Sequence, residues 1–153
     1  MPNTYTQIYV QAVFAVKYRN ALIKKPFQKE LFAVIGSLIN ETGCTTIIVN
    51  GVEDHVHCLF RLKTTVSLSE VMKSVKAKSS KWINESKFLD ERFEWQRGFG
   101  GFSYHPSMVK NVYHYIEHQE EHHKSEVFKT EYLRTLVEFN VEYDENYWFE
   151  DLI

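Results

Sequence analysis

No stretch of this chain approaches the roughly 20 consecutive apolar residues that a membrane-spanning helix needs, so no membrane partner is expected. Met1-Pro2-Asn3-Thr4-Tyr5 shows no basic segment leading into an apolar core, which argues against a secretory leader. Cysteine is scarce. Cys44 and Cys58 lie in apolar surroundings without metal-type spacing, which excludes a disulfide scaffold and points to two small buried hydrophobes in a cytoplasmic protein. Internal repeats, low-complexity tracts and Pro/Gly/Ser-rich linkers are also missing, so one compact domain is expected rather than a string of modules.

Positive charge is missing only on average. The net charge is −2, yet residues 1–110 hold 15 lysines and arginines against 9 acids, and residues 111–153 hold 3 against 11. A basic body with an acidic end leaves room for a local phosphate-binding surface that overall charge does not report. With 153 residues, 44% of them hydrophobic and 15% aromatic, the chain can bury roughly two-thirds of its unfolded surface around one core.

Tyr5 to Val16 is β-branched and aromatic throughout and predicts a central strand. Pro26 suits a first helical turn, and Phe27, Leu31, Val34, Ile35, Leu38 and Ile39 follow at helical spacing up to Gly43. Thr45 to Val49 predicts a second strand, Asn50-Gly51 a hairpin turn, and Val52 to about Leu62 a third strand. Ser67 with Glu70 reads as a capping box, opening a helix with Leu68, Val71, Met72, Val75 and Trp82 on one side. Lys73, Lys76, Lys78 and Lys81 fall mostly off that stripe. Phe99 to Tyr104 predicts the last strand, Pro106-Ser107 the start of a helix running to about Lys124, and Glu126 to Phe139 another helix before an acidic, aromatic tail. Strand, helix, strand, strand, helix, strand is the split βαβ order. The expected fold is therefore α+β and ferredoxin-like, an antiparallel sheet with helices on one face plus C-terminal helices. Residues 1–125 form the main domain, and residues 126–153 form a helical, acidic extension of it.

The chemistry starts at His55-Val56-His57. On a strand both imidazoles project to one face, and Val56, Cys58 and Phe60 project to the other. Two neutral histidines side by side are half of a divalent-metal site. On the late helix Tyr115 and Gln119 are four residues apart and share a face beside the apolar Val112 and Ile116. Two imidazoles and an amide oxygen can bind Mg²⁺ or Mn²⁺, and a tyrosine hydroxyl beside them can attack a phosphate, leaving a phosphotyrosine bond and a free 3′-hydroxyl. His114, His118, His122 and His123 crowd the same helix and are expected on a solvated face. Trp95 and Phe102 are expected in the core, with base stacking as the alternative.

His55-Val56-His57 matches the HUH pattern (histidine, bulky hydrophobe, histidine), and Tyr115-Ile116-Glu117-His118-Gln119 matches the signature Tyr-Ile-x-x-Gln. With Lys73-Ser74-Val75-Lys76 and Trp95-Gln96-Arg97-Gly98-Phe99-Gly100-Gly101-Phe102-Ser103, the chain resembles the single-tyrosine HUH transposases of the 200/605-type insertion sequences, REP-associated relatives included, over roughly Tyr5 to His123. The resemblance implies an enzyme that binds single-stranded DNA hairpins at element ends, then cuts and rejoins them. It implies His55, His57 and Gln119 as ligands of Mg²⁺ or Mn²⁺ and Tyr115 as the nucleophile. Lys73, Lys76, Lys78 and Arg97 would contact DNA. It further implies a homodimer in which one subunit's tyrosine helix can complete the other's site, and a cytoplasmic, nucleoid-associated location in bacteria. The alternative is a non-catalytic or domesticated hairpin-binding protein with an RNA-recognition-like fold, although no RNP-type aromatic motif lies on the inner strands.

Overall fold

A computed structural model describes residues 3–123 and 127–142. Its four strands are β1 (Tyr9–Ala15), β2 (Thr45–Gly51), β3 (His55–Arg61) and β4 (Gly100–Tyr104). They form one antiparallel sheet in the order β2-β3-β1-β4. Helices α1 (Lys25–Glu41) and α2 (Leu68–Ser86) are the two crossovers, which is the ferredoxin-like topology expected from the element order. After β4 come α3 (Val109–Glu117), α4 (Gln119–His122) and α5 (Phe128–Glu138).

Strand alternation divides the molecule into layers. Val10, Ala12 and Phe14 of β1 and Val56, Cys58 and Phe60 of β3 point at α1 and α2 and form the larger core with Leu31, Ile35, Val71 and Val75. Each fully buried large side chain there contributes roughly 1.5–3 kcal/mol. Cys44 and Cys58 are buried free thiols of the expected kind, and burial pushes the Cys58 thiol up. Trp95 packs on Phe14 and Phe93 and donates its indole N–H to Ser79, so it belongs to this core. The opposite face is covered too: α3 packs Val112 and Ile116 on Leu59, and α5 packs Phe128 and Leu136 on Val13, Ala15 and Phe102. The C-terminal helices thus make β3 a strand buried on both faces. Among the described residues no helix is long and apolar enough to cross a membrane.

Four sequence expectations shift. The first strand begins at Tyr9, because its neighbours end opposite that residue at Arg61 and Tyr104. Asn50-Gly51 does not make the hairpin turn. Both residues pair within the ladder, Asn50 with His57 and Gly51 with Val56, and the turn falls at residues 52–54, closed by the Val52 N–H on the His55 carbonyl. Gly51 is needed for close approach, since a Cβ there would lie 2.3 Å from the His55 carbonyl oxygen. The helix after Pro106 opens with a short 3₁₀ turn and breaks at His118 (φ −102, ψ 29), which separates α3 from α4. The last expected helix spans Phe128–Glu138, and the tail from residue 143 lies outside the described residues.

Candidate metal centre and its tyrosine

His55 and His57 leave β3 on the face covered by α3–α5 and are buried, 0% and 3% exposed. Asp54 accepts from His55 Nδ1 at 2.7 Å, which leaves Nε2 pointing into the site. His57 Nδ1 meets the buried Gln11 amide at 2.9 Å, and Gln11 Oε1 accepts from the Tyr104 hydroxyl at 2.7 Å.

The third member of the cluster was not expected. Glu131 comes from α5, inside the segment that composition marks as an acidic extension, and is 1% exposed. Its Oε1 accepts from His57 Nε2 at 3.1 Å and from His123 Nε2 at 3.2 Å, and lies 3.4 Å from His55 Nε2. Its Oε2 accepts from the Tyr115 hydroxyl and from Gln119 Nε2 at 3.4 Å. The Glu131 carboxylate therefore touches every residue expected in the catalytic and metal set. The signal that could have found it is its position: Phe128, Glu131, Tyr132 and Leu136 recur at helical spacing, placing an acid within an apolar stripe.

The electrostatics follow from this crowding. Burial works against the charge on Glu131, but hydrogen bonds from His55 and His57 outweigh it and hold the carboxyl down at about 2. Burial likewise opposes a proton on His55, yet Asp54 and Glu131 raise its pKa above the ordinary histidine value. His57 moves the other way, because burial there outweighs Glu131.

The residues present fit a divalent cation. His55, His57 and Glu131 offer ligand atoms within 4.8 Å of one another. Two of the buried polar atoms without a hydrogen-bond partner are His55 Nε2 and Gln119 Oε1. Two imidazole nitrogens with carboxylate and amide oxygens form a mixed donor set for a divalent metal ion.

Tyr115 and Gln119 reach the cluster from α3 and α4 of the same chain. The tyrosine ring centroid lies 6.0 Å from that of His57 and 4.5 Å from that of His122. Asn50 secures the helix end between them, donating its Nδ2 to the carbonyls of Ile116 (2.9 Å) and Glu117 (3.1 Å). That commitment accounts for an asparagine in the ladder where sequence pattern predicts a turn. The four extra histidines do not share one solvated face. His114 and His118 are exposed, but His122 lies against Tyr115 and His123 bonds to Glu131, its ring 4.5 Å from that of His55.

The lysines expected to contact DNA, Lys73, Lys76 and Lys78, lie on α2, across the sheet from this centre. Lys73 and Lys78 are exposed, Lys78 with Glu41 at 3.7 Å. Lys76 donates to the carbonyls of Gln96 and Gly98, both at 2.7 Å, and so ties down the approach to β4. Arg97 is exposed and lines a cavity of about 320 Å³ between β4 and α5 with Phe102 and Tyr132.

Comparison with known proteins identifies a family and a shared fold. Residues 4–119 match the family model described as IS200-like transposase. A structure of a protein assigned as a transposase from Deinococcus radiodurans R1 superposes with a TM-score of 0.64 at 15% identity, covering 78% of this chain and 95% of that one. A REP-associated tyrosine transposase bound to a REP hairpin superposes with a TM-score of 0.53 at 13% identity, covering 78% of this chain and 68% of that one. No curated protein matches the chain.

Proposed function

Because this chain belongs to the IS200-like transposase family, we propose that it cleaves and rejoins single-stranded DNA at hairpin-bearing ends. Tyr115 is the nucleophile, and His55, His57, Gln119 and Glu131 hold a divalent cation. The observation that carries this reading is the shared carboxylate: Glu131 meets the histidines with one oxygen and the tyrosine hydroxyl with the other. The hairpin is taken from the structural neighbour described as bound to one.

In the proposed reaction the Tyr115 hydroxyl gives up its proton to solvent as its oxygen bonds to the scissile phosphorus, and the bond to the 3′ oxygen breaks. That oxygen leaves as a 3′-hydroxyl after taking a proton, and the 5′ end stays on Tyr115 as a phosphodiester. The ester retains the bond energy, so a 3′-hydroxyl can reverse the step without ATP. A bound Mg²⁺ or Mn²⁺ would polarise the phosphate and stabilise the charge that develops on it. Glu131 Oε2 fixes the direction of the Tyr115 hydroxyl, and Asp54 fixes the ring of His55. Lys73, Lys78 and Arg97 supply exposed positive charge for the DNA backbone, and Lys76 shapes the loop beside them. A homodimer is part of the proposal, with the chemistry of each site carried by residues of one chain.

The test is a labelled DNA hairpin incubated with protein and Mn²⁺. A 5′-phosphotyrosyl adduct is expected with the wild-type chain and with Tyr113→Phe, and is lost in Tyr115→Phe. An adduct surviving in Tyr115→Phe overturns the nucleophile. Tight binding with no adduct across several hairpins favours a non-catalytic binding module.

A further inference from the structure

The two histidines of the centre are set differently. His55 gives its Nδ1 proton to Asp54, so Nε2 is the atom left for a ligand. At His57 the neighbour is an amide, which can present either end. Gln11 is 4% exposed and lies on the same face of β1 as Val13, which pairs with His57. Its Nε2 lies 2.9 Å from His57 Nδ1, and its Oε1 accepts from the Tyr104 hydroxyl at 2.7 Å. In that arrangement the amide N–H fills the Nδ1 lone pair. The proton of a neutral His57 ring then sits on Nε2, where it donates to Glu131 Oε1 at 3.1 Å. A ring protonated on Nε2 has no lone pair there to give a metal.

We propose that Gln11 is a positioning residue that sets which nitrogen of His57 carries the proton, and that its amide turns over when the site takes a divalent cation. In the turned state Gln11 Oε1 accepts from His57 Nδ1–H, and Gln11 Nε2 donates to the Tyr104 oxygen. One proton leaves His57 Nε2 and one is taken at Nδ1, so the charge of the ring is unchanged. The two ends of an amide are nearly equal in size, so the rotation needs no extra room in a buried site. A tyrosine hydroxyl both donates and accepts, so Tyr104 serves either orientation. Tyr104 lies on β4 beside β1, which makes the Gln11 amide the link between the sheet and the metal-facing nitrogen. The inference rests on the cluster being a metal site and adds the residue that decides whether His57 is ready to be a ligand.

The experiment reads the tautomer directly, by long-range ¹H–¹⁵N NMR of the full chain, together with Mn²⁺ affinity by calorimetry. In metal-free wild-type protein His57 is expected with its proton on Nε2, and Mg²⁺ moves it to Nδ1. Gln11→Glu, which can only accept, is expected to give the Nδ1–H form without any metal. Gln11→Met, similar in size and only a weak acceptor through its sulfur, is expected to bind Mn²⁺ about 10–100-fold more weakly. Gln11→Met binding Mn²⁺ like wild type, or Gln11→Glu leaving Nδ1 without a proton, overturns the proposal. Thermal melts report whether each variant folds, and if Gln11→Met does not, the tautomer in Gln11→Glu decides. A wild-type chain that binds no Mn²⁺ refutes the metal reading, while the metal-free tautomers still decide the role of Gln11.

Discussion

The Tyr115 hydroxyl donates to Oε2 of Glu131, a carboxylate delivered by a different helix, while Oε1 of the same group lies 3.1 Å from His57 Nε2. Nucleophile and ligand cluster are therefore held by one side chain. Glu131→Gln keeps the shape and removes the charge. Its amide N–H₂ would face a donor at one end of the group, either His57 or Tyr115. We expect Mn²⁺ affinity to fall at least about tenfold and stability to drop by about 1–3 kcal/mol. Calorimetric titration with Mn²⁺ and urea melts measure both. Unchanged Mn²⁺ binding would remove Glu131 from the ligand set.

The same carboxylate predicts how the metal-free protein responds to acid. Glu131 is held at about 2 in the folded chain against an ordinary value of 4.5. A folded value below the unfolded one contributes stability that is present above about pH 4.5 and lost as pH falls towards 2. The full gap corresponds to about 3 kcal/mol. His55, raised above its ordinary value, contributes the reverse: stability present below pH 6.5 and lost as pH rises through its folded value. In EDTA, urea midpoints between pH 4.5 and 2 should fall more steeply for wild type than for Glu131→Gln. Parallel curves would show that the carboxylate is not held down.

Delivery of Glu131 depends on a glycine in β4. A Cβ on Gly100 would lie 2.9 Å from the ring and hydroxyl of Tyr132, the residue after Glu131. Tyr132 also packs on Phe128, with ring centroids 5.5 Å apart, so its ring cannot swing away without disturbing α5. Gly100→Ala should cost about 1–3 kcal/mol and weaken Mn²⁺ binding together with stability. The double variant Gly100→Ala/Tyr132→Leu makes room for the methyl group and should recover part of both. Urea melts and calorimetry on the four proteins of this cycle test the coupling, and strict additivity would sink it.

How much of this was legible follows from how local each signal is. His55 and His57 stand two apart on a strand, and Tyr115 and Gln119 four apart near a helix break, so periodicity alone puts each pair on one face. The crossover order implied the sheet that holds them. Glu131 was hidden because it enters from a helix read by composition as part of an acidic extension, where its charge is typical and only its place in the apolar stripe is not. Gln11 was hidden for a similar reason, as one amide in an apolar strand whose partner is 46 residues away in sequence. Asn50-Gly51 misled because the dipeptide suits a tight turn, whereas here the asparagine amide holds the end of α3 and the glycine admits a carbonyl.

The basic helix separates two roles for lysine that look alike in sequence. Lys76 is half-buried and donates to two carbonyls at 2.7 Å, so Lys76→Met leaves two acceptors without this donor and should cost about 1–2 kcal/mol before any DNA is added. Lys73 is exposed, and Lys73→Met should leave stability within about 0.5 kcal/mol of wild type. If Lys73 meets a phosphate, its loss should weaken hairpin binding and reduce the slope of log K against log salt by about 0.7–0.9. Urea melts and salt-dependent binding titrations of both variants decide between them. A salt slope unchanged by Lys73→Met would take this lysine out of the DNA surface and leave α2 a structural crossover whose charges serve only solvation and the β4 loop.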